Sequence, residues 1–264
     1  MEYNNMTNFS FLIISFLCLL TLVTFALLVK SYRKLSNLIV NQQTEFDNIK
    51  ARIDDASMAA VNASYLTSNI FQFPVPLGGP SIDAHHARTI LFLLQVKRPK
   101  RILELGSGSS TVYISHFMRK LKENPVVHVA IDHDARFLDL TRDLCILNGV
   151  EQGITFAHCP LGSMVGSATD WYQIPDDIKA KGPFDLIIVD GPPAYAGGFE
   201  MARYPAMGSL LSHLSQTGIL ILDDSNRSGE QAVLSRWKSE HPELVLEQRC
   251  EGKGHTLISR QPLF

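Results

Sequence analysis

The 264-residue chain has little that binds metal through sulfur and no excess of either charge. Its four cysteines, Cys18, Cys145, Cys159 and Cys250, are scattered. None forms a pair with metal-ligand spacing, and they outline no disulfide framework. A reducing compartment fits this usage. Lys and Arg number 24 against 26 Asp and Glu, a formal net charge of -2. That balance implies no nucleic-acid partner. The sequence has no internal repeat and no low-complexity segment. Its glycine-rich turn lacks glycine at the third position of the dinucleotide fingerprint. No Lys or Arg precedes the first apolar run, and no clear small-x-small cleavage site precedes Lys30. An uncleaved anchor therefore reads better there than a signal peptide.

That run, Phe9 to Val29, is uncharged and long enough to span a bilayer core. Lys30, Arg33 and Lys34 follow at once, which places the C-terminal side in the cytoplasm by the positive-inside rule. From Ser31 to about Asn69 the chain is polar and free of Gly and Pro. Ile39, Phe46, Ile49, Ile53, Ala56 and Ala60 recur there as a helical stripe. The stripe predicts a juxtamembrane helix. It would serve either a short coiled coil, and so a homodimer, or a stalk packed on the catalytic domain. Gln42 occupies one seam position. The expected organisation is an anchor over 1–30, a helical stalk over 31–70 and a catalytic domain over 71–264.

Phe71 to Pro80 breaks all periodicity. Ser81 or Asp83 then caps a helix running to about Val96. After Pro99 strands and helices alternate. Strands are expected at Arg101–Leu105, Val126–Asp132, Ile154–His158, Phe184–Asp190, Gly218–Asp223, Leu244–Arg249 and His255–Ser259. Helices are expected at about Ser109–Met118, Ala135–Asn148, Tyr204–Leu214 and Gly229–Glu240. Central strands that are continuous apolar runs point to a sheet covered on both faces. The pattern is that of a doubly wound α/β fold with its site at the strand C-termini.

Arg101 to Thr111 reads Arg-Ile-Leu-Glu-Leu-Gly-Ser-Gly-Ser-Ser-Thr. A strand, a turn through Gly106 and Gly108 and a helix start make a loop that a ligand can approach closely, next to free backbone N–H groups. Glu104 would repel a phosphate so near the turn, and would tolerate a cationic or amine-bearing ligand. Asp132 ends the second strand and suits either ribose hydroxyls or a helix N-cap, a task Asp134 could also perform.

Asp190 ends the fourth strand and is followed by Gly-Pro-Pro. Asp223 and Asp224 end the fifth, its neighbour in such a sheet. Three converging carboxylates would repel one another and raise one pKa. A hard divalent cation such as magnesium is one solution. The other is structural, with Asp223 or Asp224 capping the next turn and pairing with Arg227 or Arg203. His85 and His86 could line the substrate mouth; being adjacent, they face different sides of a helix and make a poor metal pair, and a surface or capping role is their default. Trp171 and Tyr172 could pack on a flat ligand ring or serve simply as core.

Glu-Leu-Gly-Ser-Gly-Ser-Ser-Thr, Asp132 and Phe-Asp-Leu-Ile-Ile-Val-Asp-Gly-Pro-Pro closely resemble class I S-adenosylmethionine-dependent methyltransferases, over about Ser81 to Ser259. Leu77–Pro80, Asp190–Pro193, Arg203–Ala206 and Asp223–Arg227 also look like bacterial O-methyltransferase-like members. The resemblance implies a Rossmann-like, seven-stranded, mostly parallel sheet. It implies that Glu104, Gly106, Ser107 and Gly108 cradle the methionine part of S-adenosylmethionine and that Asp132 holds its ribose. His133 and the turn at Cys159, Pro160 and Leu161 would flank the adenine, with Asp190 beside the methyl donor. Catechol-type members bind magnesium with acids placed like Asp190, Asp223 and Asp224. They also carry a catalytic lysine after the fourth strand, where this chain has Pro192 and Pro193.

The expected activity is O-methylation of a small molecule or a glycan or lipid-linked intermediate by a single-pass membrane protein facing the cytoplasm. Asp190 is the first candidate base and Asp223 the second. Aminopropyl transfer on the same fold and a noncatalytic membrane-tethered scaffold are the rival readings. A nicotinamide dehydrogenase is disfavoured by the absent third glycine.

Overall fold

The computed structural model describes residues 2–67, 71–121, 127–164, 168–194 and 198–263, without the side chains of residues 2–14 and 18. The chain divides into two compact units, Met1–Asp54 and Asp55–Phe264. The anchor and the stalk read from the sequence are one continuous helix, α1 (Glu2–Thr67). No Gly or Pro interrupts it, so nothing in the backbone marks a break at Lys30. From Ser15 onward it contains an 18-residue window of mean hydropathy 1.8, enough in length and composition to cross a membrane. A signal sequence would meet the same description.

The second unit is built on a seven-stranded sheet. Its strands are β1 (Arg101–Leu105), β2 (Val127–Asp132), β3 (Ile154–His158), β6 (Phe184–Val189), β7 (Leu214–Asp223), β8 (Val245–Arg249) and β9 (His255–Ser259), in the order β3-β2-β1-β6-β7-β9-β8. The pairs from β3 through β7 are parallel, and β9 runs antiparallel to both β7 and β8. Two further strands, β4 (Leu161–Gly162) and β5 (Trp171–Tyr172), form a small antiparallel pair. They are too short to show periodicity in the sequence.

Strand alternation sorts the core into two layers. Leu103, Leu105, Val129, Ile131, Ile187, Val189, Leu220 and Leu222 face α6 (Pro205–Leu210) and α7 (Ser228–Glu240), meeting Ala206, Met207, Val233 and Trp237. Ile102, Leu186, Ile188, Ile219 and Ile221 face the opposite way. There they pack with Ile90 and Leu94 of α2 (Ala84–Lys97), Val112 and Ile114 of α3 (Ser109–Lys120) and Cys145 of α4 (Ala135–Leu147). Asp83 caps α2 by accepting a bond from His86 N at 2.8 Å. Asp134, rather than Asp132, caps α4. A 3₁₀ turn, Leu211–His213, joins α6 to β7, and a four-residue helix, α5 (Asp176–Lys179), precedes β6.

Candidate active site

The C-terminal ends of β1, β2, β6 and β7 lie side by side, because the crossover direction reverses between β1 and β6. Gly106 leaves β1 with φ +93°, and a Cβ there would stand 2.8 Å from Gly191 N. Only glycine permits that approach. The two loops are stitched together by Leu105 O, which accepts from Asp190 N at 2.9 Å and from Gly191 N at 2.7 Å. Gly191 has its own constraint: a Cβ on it would fall 1.9 Å from the Tyr172 hydroxyl. Tyr172 and Trp171 are buried in the core, so their aromatic surface is used for packing. The Tyr172 hydroxyl has no hydrogen-bond partner, and it sits between the glycine loops. Burial pushes its pKa well up, with the charge of Asp132 adding to the effect.

Asp132 fastens the glycine loop from behind. Its Oδ2 accepts from Ser107 N at 2.9 Å and Ser107 Oγ at 3.2 Å, and its Oδ1 accepts from Asp134 N at 3.0 Å. His133 Nδ1 lies 3.1 Å from the same Oδ1, and this contact raises the pKa of His133. His133 is also edge-on to Tyr172, with ring centroids 6.2 Å apart. Leu161 pairs with Tyr172 across the β4–β5 ladder. Gly106, Ser107, Gly108, Asp132, His133, Leu161 and Asp190 are thus drawn to the same end of the sheet.

Glu104 departs from its expected place. It has the same strand parity as Ile102, so its side chain enters the layer under α3 and is 0 % exposed. Oε2 accepts from Ser110 Oγ at 2.7 Å, and Oε1 meets His128 Nε2. His128 Nδ1 in turn lies 3.0 Å from Ser115 Oγ. Both oxygens have partners within the core layer. Glu104 braces the first turn of α3. The identity of the residue was readable as a strand-end acid, but its direction depended on which sheet face α3 covers.

The acids at the ends of β6 and β7 converge. One oxygen from each of Asp190, Asp223 and Asp224 lies within 4.8 Å of the others. Arg203, just before α6, is buried among them. Its guanidinium donates to Asp223 O at 3.0 Å, Pro192 O at 3.2 Å and Asp224 Oδ2 at 3.2 Å, and also to Asp190 O. Asp190 Oδ1 is 3.4 Å and Glu230 Oε1 3.5 Å from it. Arg227 reaches Asp224 Oδ2 at 2.9 Å. Asp224 itself holds φ +56°, so the turn after β7 is strained at that residue. Burial raises the pKa of Glu230 against the opposing Arg203 charge. Burial and repulsion by Asp223 push Asp190 up to about 7, although Arg203 pulls it down.

His86 completes the cluster, with Nδ1 2.7 Å from Asp223 Oδ1. Burial alone would raise the pKa of Asp223, but the His86 and Arg203 charges hold it below the usual range. The surface or capping role expected for the histidine pair is corrected. His86 faces Asp223 and stacks on His255 at 4.7 Å, whereas His85 faces the other way, 3.4 Å from both Asn62 Nδ2 and Asp55 Oδ1. Glu230 and His128 were not singled out by the sequence, and Ser110 entered only as part of the glycine motif; the spacing of Arg227, the N-cap of α7, and Glu230 was the one further signal.

Residues 103–225 match the family model described as "Methyltransferase domain". A provisionally assigned O-methyltransferase from Klebsiella pneumoniae is similar in fold, with TM-score 0.52 and 19% identity over 78% of this chain and 98% of that one. Cofactor-bound Rv0187 from MTB gives TM-score 0.51 and 15% identity over 79% and 91%. The SAH-bound methyltransferase PaMTH1 of Podospora anserina gives 0.50 and 19% over 69% and 81%. Comparison with curated proteins finds no match. The glycine turn and the C-terminal ends of β6 and β7 lie within the matched residues. The fold is shared with these solved structures, at identities of 19% and below.

Proposed function

We propose that this protein O-methylates a small molecule, a glycan or a lipid-linked intermediate, tethered to a membrane by the N-terminal part of α1 with its catalytic domain on the cytoplasmic side. The observation that carries the catalytic part is the seam where the Gly106 turn meets the Asp190–Gly191 turn: a cradle beside a carboxylate whose pKa lies near 7. The apolar window in α1, followed by Lys30, Arg33 and Lys34, motivates the tether and its orientation.

S-adenosylmethionine supplies an electrophilic methyl group when bound. Gly106, Ser107 and Gly108 would hold its amino-acid part with backbone N–H groups at the start of α3, where Gly108 is the N-cap. Asp132 would hold its ribose hydroxyls, and His133 would flank its adenine. Leu161 would flank the adenine as well. Asp190, facing the same mouth, accepts the proton of the acceptor hydroxyl, and Asp223 is the second candidate. Alignment of acceptor and donor supplies most of the rate, because methyl transfer asks little more of the protein.

A divalent cation on Asp190, Asp223 and Asp224 is a second reading. It is favoured by two buried oxygens, Asp223 Oδ2 and Asp224 Oδ1, that lack hydrogen-bond partners. Arg203 and His86 already balance part of this charge. If turnover survives exhaustive chelation, the acids act without a metal; loss of turnover restored by magnesium supports the cation.

Calorimetry on the full chain in detergent tests the core of the reading. S-adenosylhomocysteine should bind, and Asp132→Ala should weaken it. Failure to bind, alongside tight NAD binding, would overturn it. Protease access in sealed vesicles tests the orientation.

A further inference from the structure

The segment of α1 that belongs to the first unit carries a regular apolar seam. Leu35, Ile39, Gln42, Phe46, Ile49 and Ile53 follow one another at alternating steps of four and three. That rhythm is the heptad repeat, with Ile39, Phe46 and Ile53 at a and Leu35, Gln42 and Ile49 at d. An ordinary amphipathic helix would need only the broader 3.6-residue stripe. The apolar seam residues are between 47 and 63 % exposed. The polar positions around them include Glu45, Asp47, Lys50, Arg52 and Asp54, too many charges for this stretch to lie in hydrocarbon.

The catalytic unit uses a different face. In the part of α1 that lies in that unit, Asn62 and Leu66 are buried and Asp55, Ala59 and Ala63 are partly covered. The seam continues past them as Ala56 and Ala60, which remain exposed. One helix therefore presents two stripes, and the heptad stripe is the one left open.

We propose that this seam pairs with the same seam of a second copy, as a parallel two-stranded coiled coil. Charge at the flanking positions selects the partner and its direction. Glu45 falls at g and Lys50 at the following e, the two positions that meet across a parallel dimer. Each copy then contributes one end of two symmetric Glu45–Lys50 pairs. An antiparallel arrangement brings g against g and e against e, and sets like charges together. Gln42, the one polar seam residue in this stretch, meets its own copy at a d layer and fixes the register. The pairing does not depend on the membrane reading.

Cysteine crosslinking of the full chain in detergent tests this, in a background carrying Cys18→Ala and Cys250→Ser. Ile49→Cys should form a disulfide-linked dimer, and Asp47→Cys, on the outer side of the helix, should not. Glu45→Lys should lower the dimer fraction, and Glu45→Lys with Lys50→Glu should restore it. Ile39→Asp with Ile49→Asp should halve the particle mass seen by light scattering, with S-adenosylhomocysteine binding retained as the check on folding. A monomeric wild-type chain, a dimer that survives the double aspartate change, or equal crosslinking at 47 and 49 would each overturn the proposal. A wild-type chain that fails to bind S-adenosylhomocysteine while Ile49→Cys still crosslinks would overturn the function and leave the dimer standing.

Discussion

His86 Nδ1 lies 2.7 Å from Asp223 Oδ1, joining the first turn of α2 to the end of β7 across 137 residues of sequence. Both side chains are buried. The pKa of His86 is raised: burial opposes its charge, but Asp223, Asp190 and Asp83 outweigh burial. Stability from that shift is complete below the ordinary histidine value of 6.5 and is lost as pH rises through the folded value. Stability from the lowered Asp223 pKa is present above 3.8 and is lost as pH falls through its folded value. The pair therefore contributes most between those limits. His86→Gln leaves the Arg203 charge alone to oppose the burial of Asp223 and should cost about 3–5 kcal/mol near pH 6. The deficit should shrink in alkaline buffer. Urea unfolding of both chains across a pH series measures it, and a pH-independent difference would contradict the ion pair.

The Asp190 carboxylate must be ionised to take a proton from an acceptor hydroxyl. With its pKa at about 7, kcat/KM should climb with pH through neutrality and level off above it. Asp190→Asn should remove that rise and lower kcat by about 10²–10⁴-fold. Unchanged turnover in Asp190→Asn, with unchanged cofactor affinity, would remove Asp190 from the role of base.

Gly191 and Tyr172 should behave as a coupled pair. Gly191→Ala drives a methyl group to 1.9 Å from the Tyr172 hydroxyl and should destabilise the domain by about 1–3 kcal/mol. Tyr172→Phe removes that oxygen, and the next ring atom stands 3.2 Å away. The double variant should thus recover part of the loss. A double-mutant cycle of thermal unfolding gives the coupling, and strict additivity would show that the contact is relieved elsewhere.

Glu104 predicts a separation between stability and ligand affinity. Glu104→Ala takes the partner from His128 Nε2 and Ser110 Oγ in the core, which should cost about 3–5 kcal/mol. Glu104→Gln keeps an acceptor for Ser110 and should cost less. Neither change removes a direct ligand contact, so S-adenosylhomocysteine affinity per folded molecule should fall far less than it does in Asp132→Ala. An equal fall would return Glu104 to the loop surface.

The main sheet was legible because Ile102–Leu105, Phe184–Val189 and Gly218–Leu222 are apolar runs closed by glycine or aspartate. Such runs need both faces covered. Gly106 and Asp190 were legible for the same reason, since a strand end in this fold is already a position at the site. Directions were not. Whether Glu104 turns toward the loop or under α3 depends on the sheet face that α3 takes, which is a tertiary fact. His86 was read as a surface residue because its partner Asp223 is remote in sequence. Arg203 was visible only as one of two cations able to pair with the acids; its reach to three backbone carbonyls required the folded turn. The β4–β5 pair has two residues per strand and carries no period.

Arg203 has a consequence for altering the acceptor. It sits outside every strand, yet its guanidinium holds the carbonyls of Asp190, Pro192 and Asp223 together. The segment between the Asp190 turn and α6 is a natural place to transplant loops when a different substrate is wanted. A graft that ends at residue 202 and leaves Arg203 intact keeps the ends of β6 and β7 fastened. One that runs a single residue further changes the recognition surface and also removes the side chain that ties the turns after β6 and β7 together.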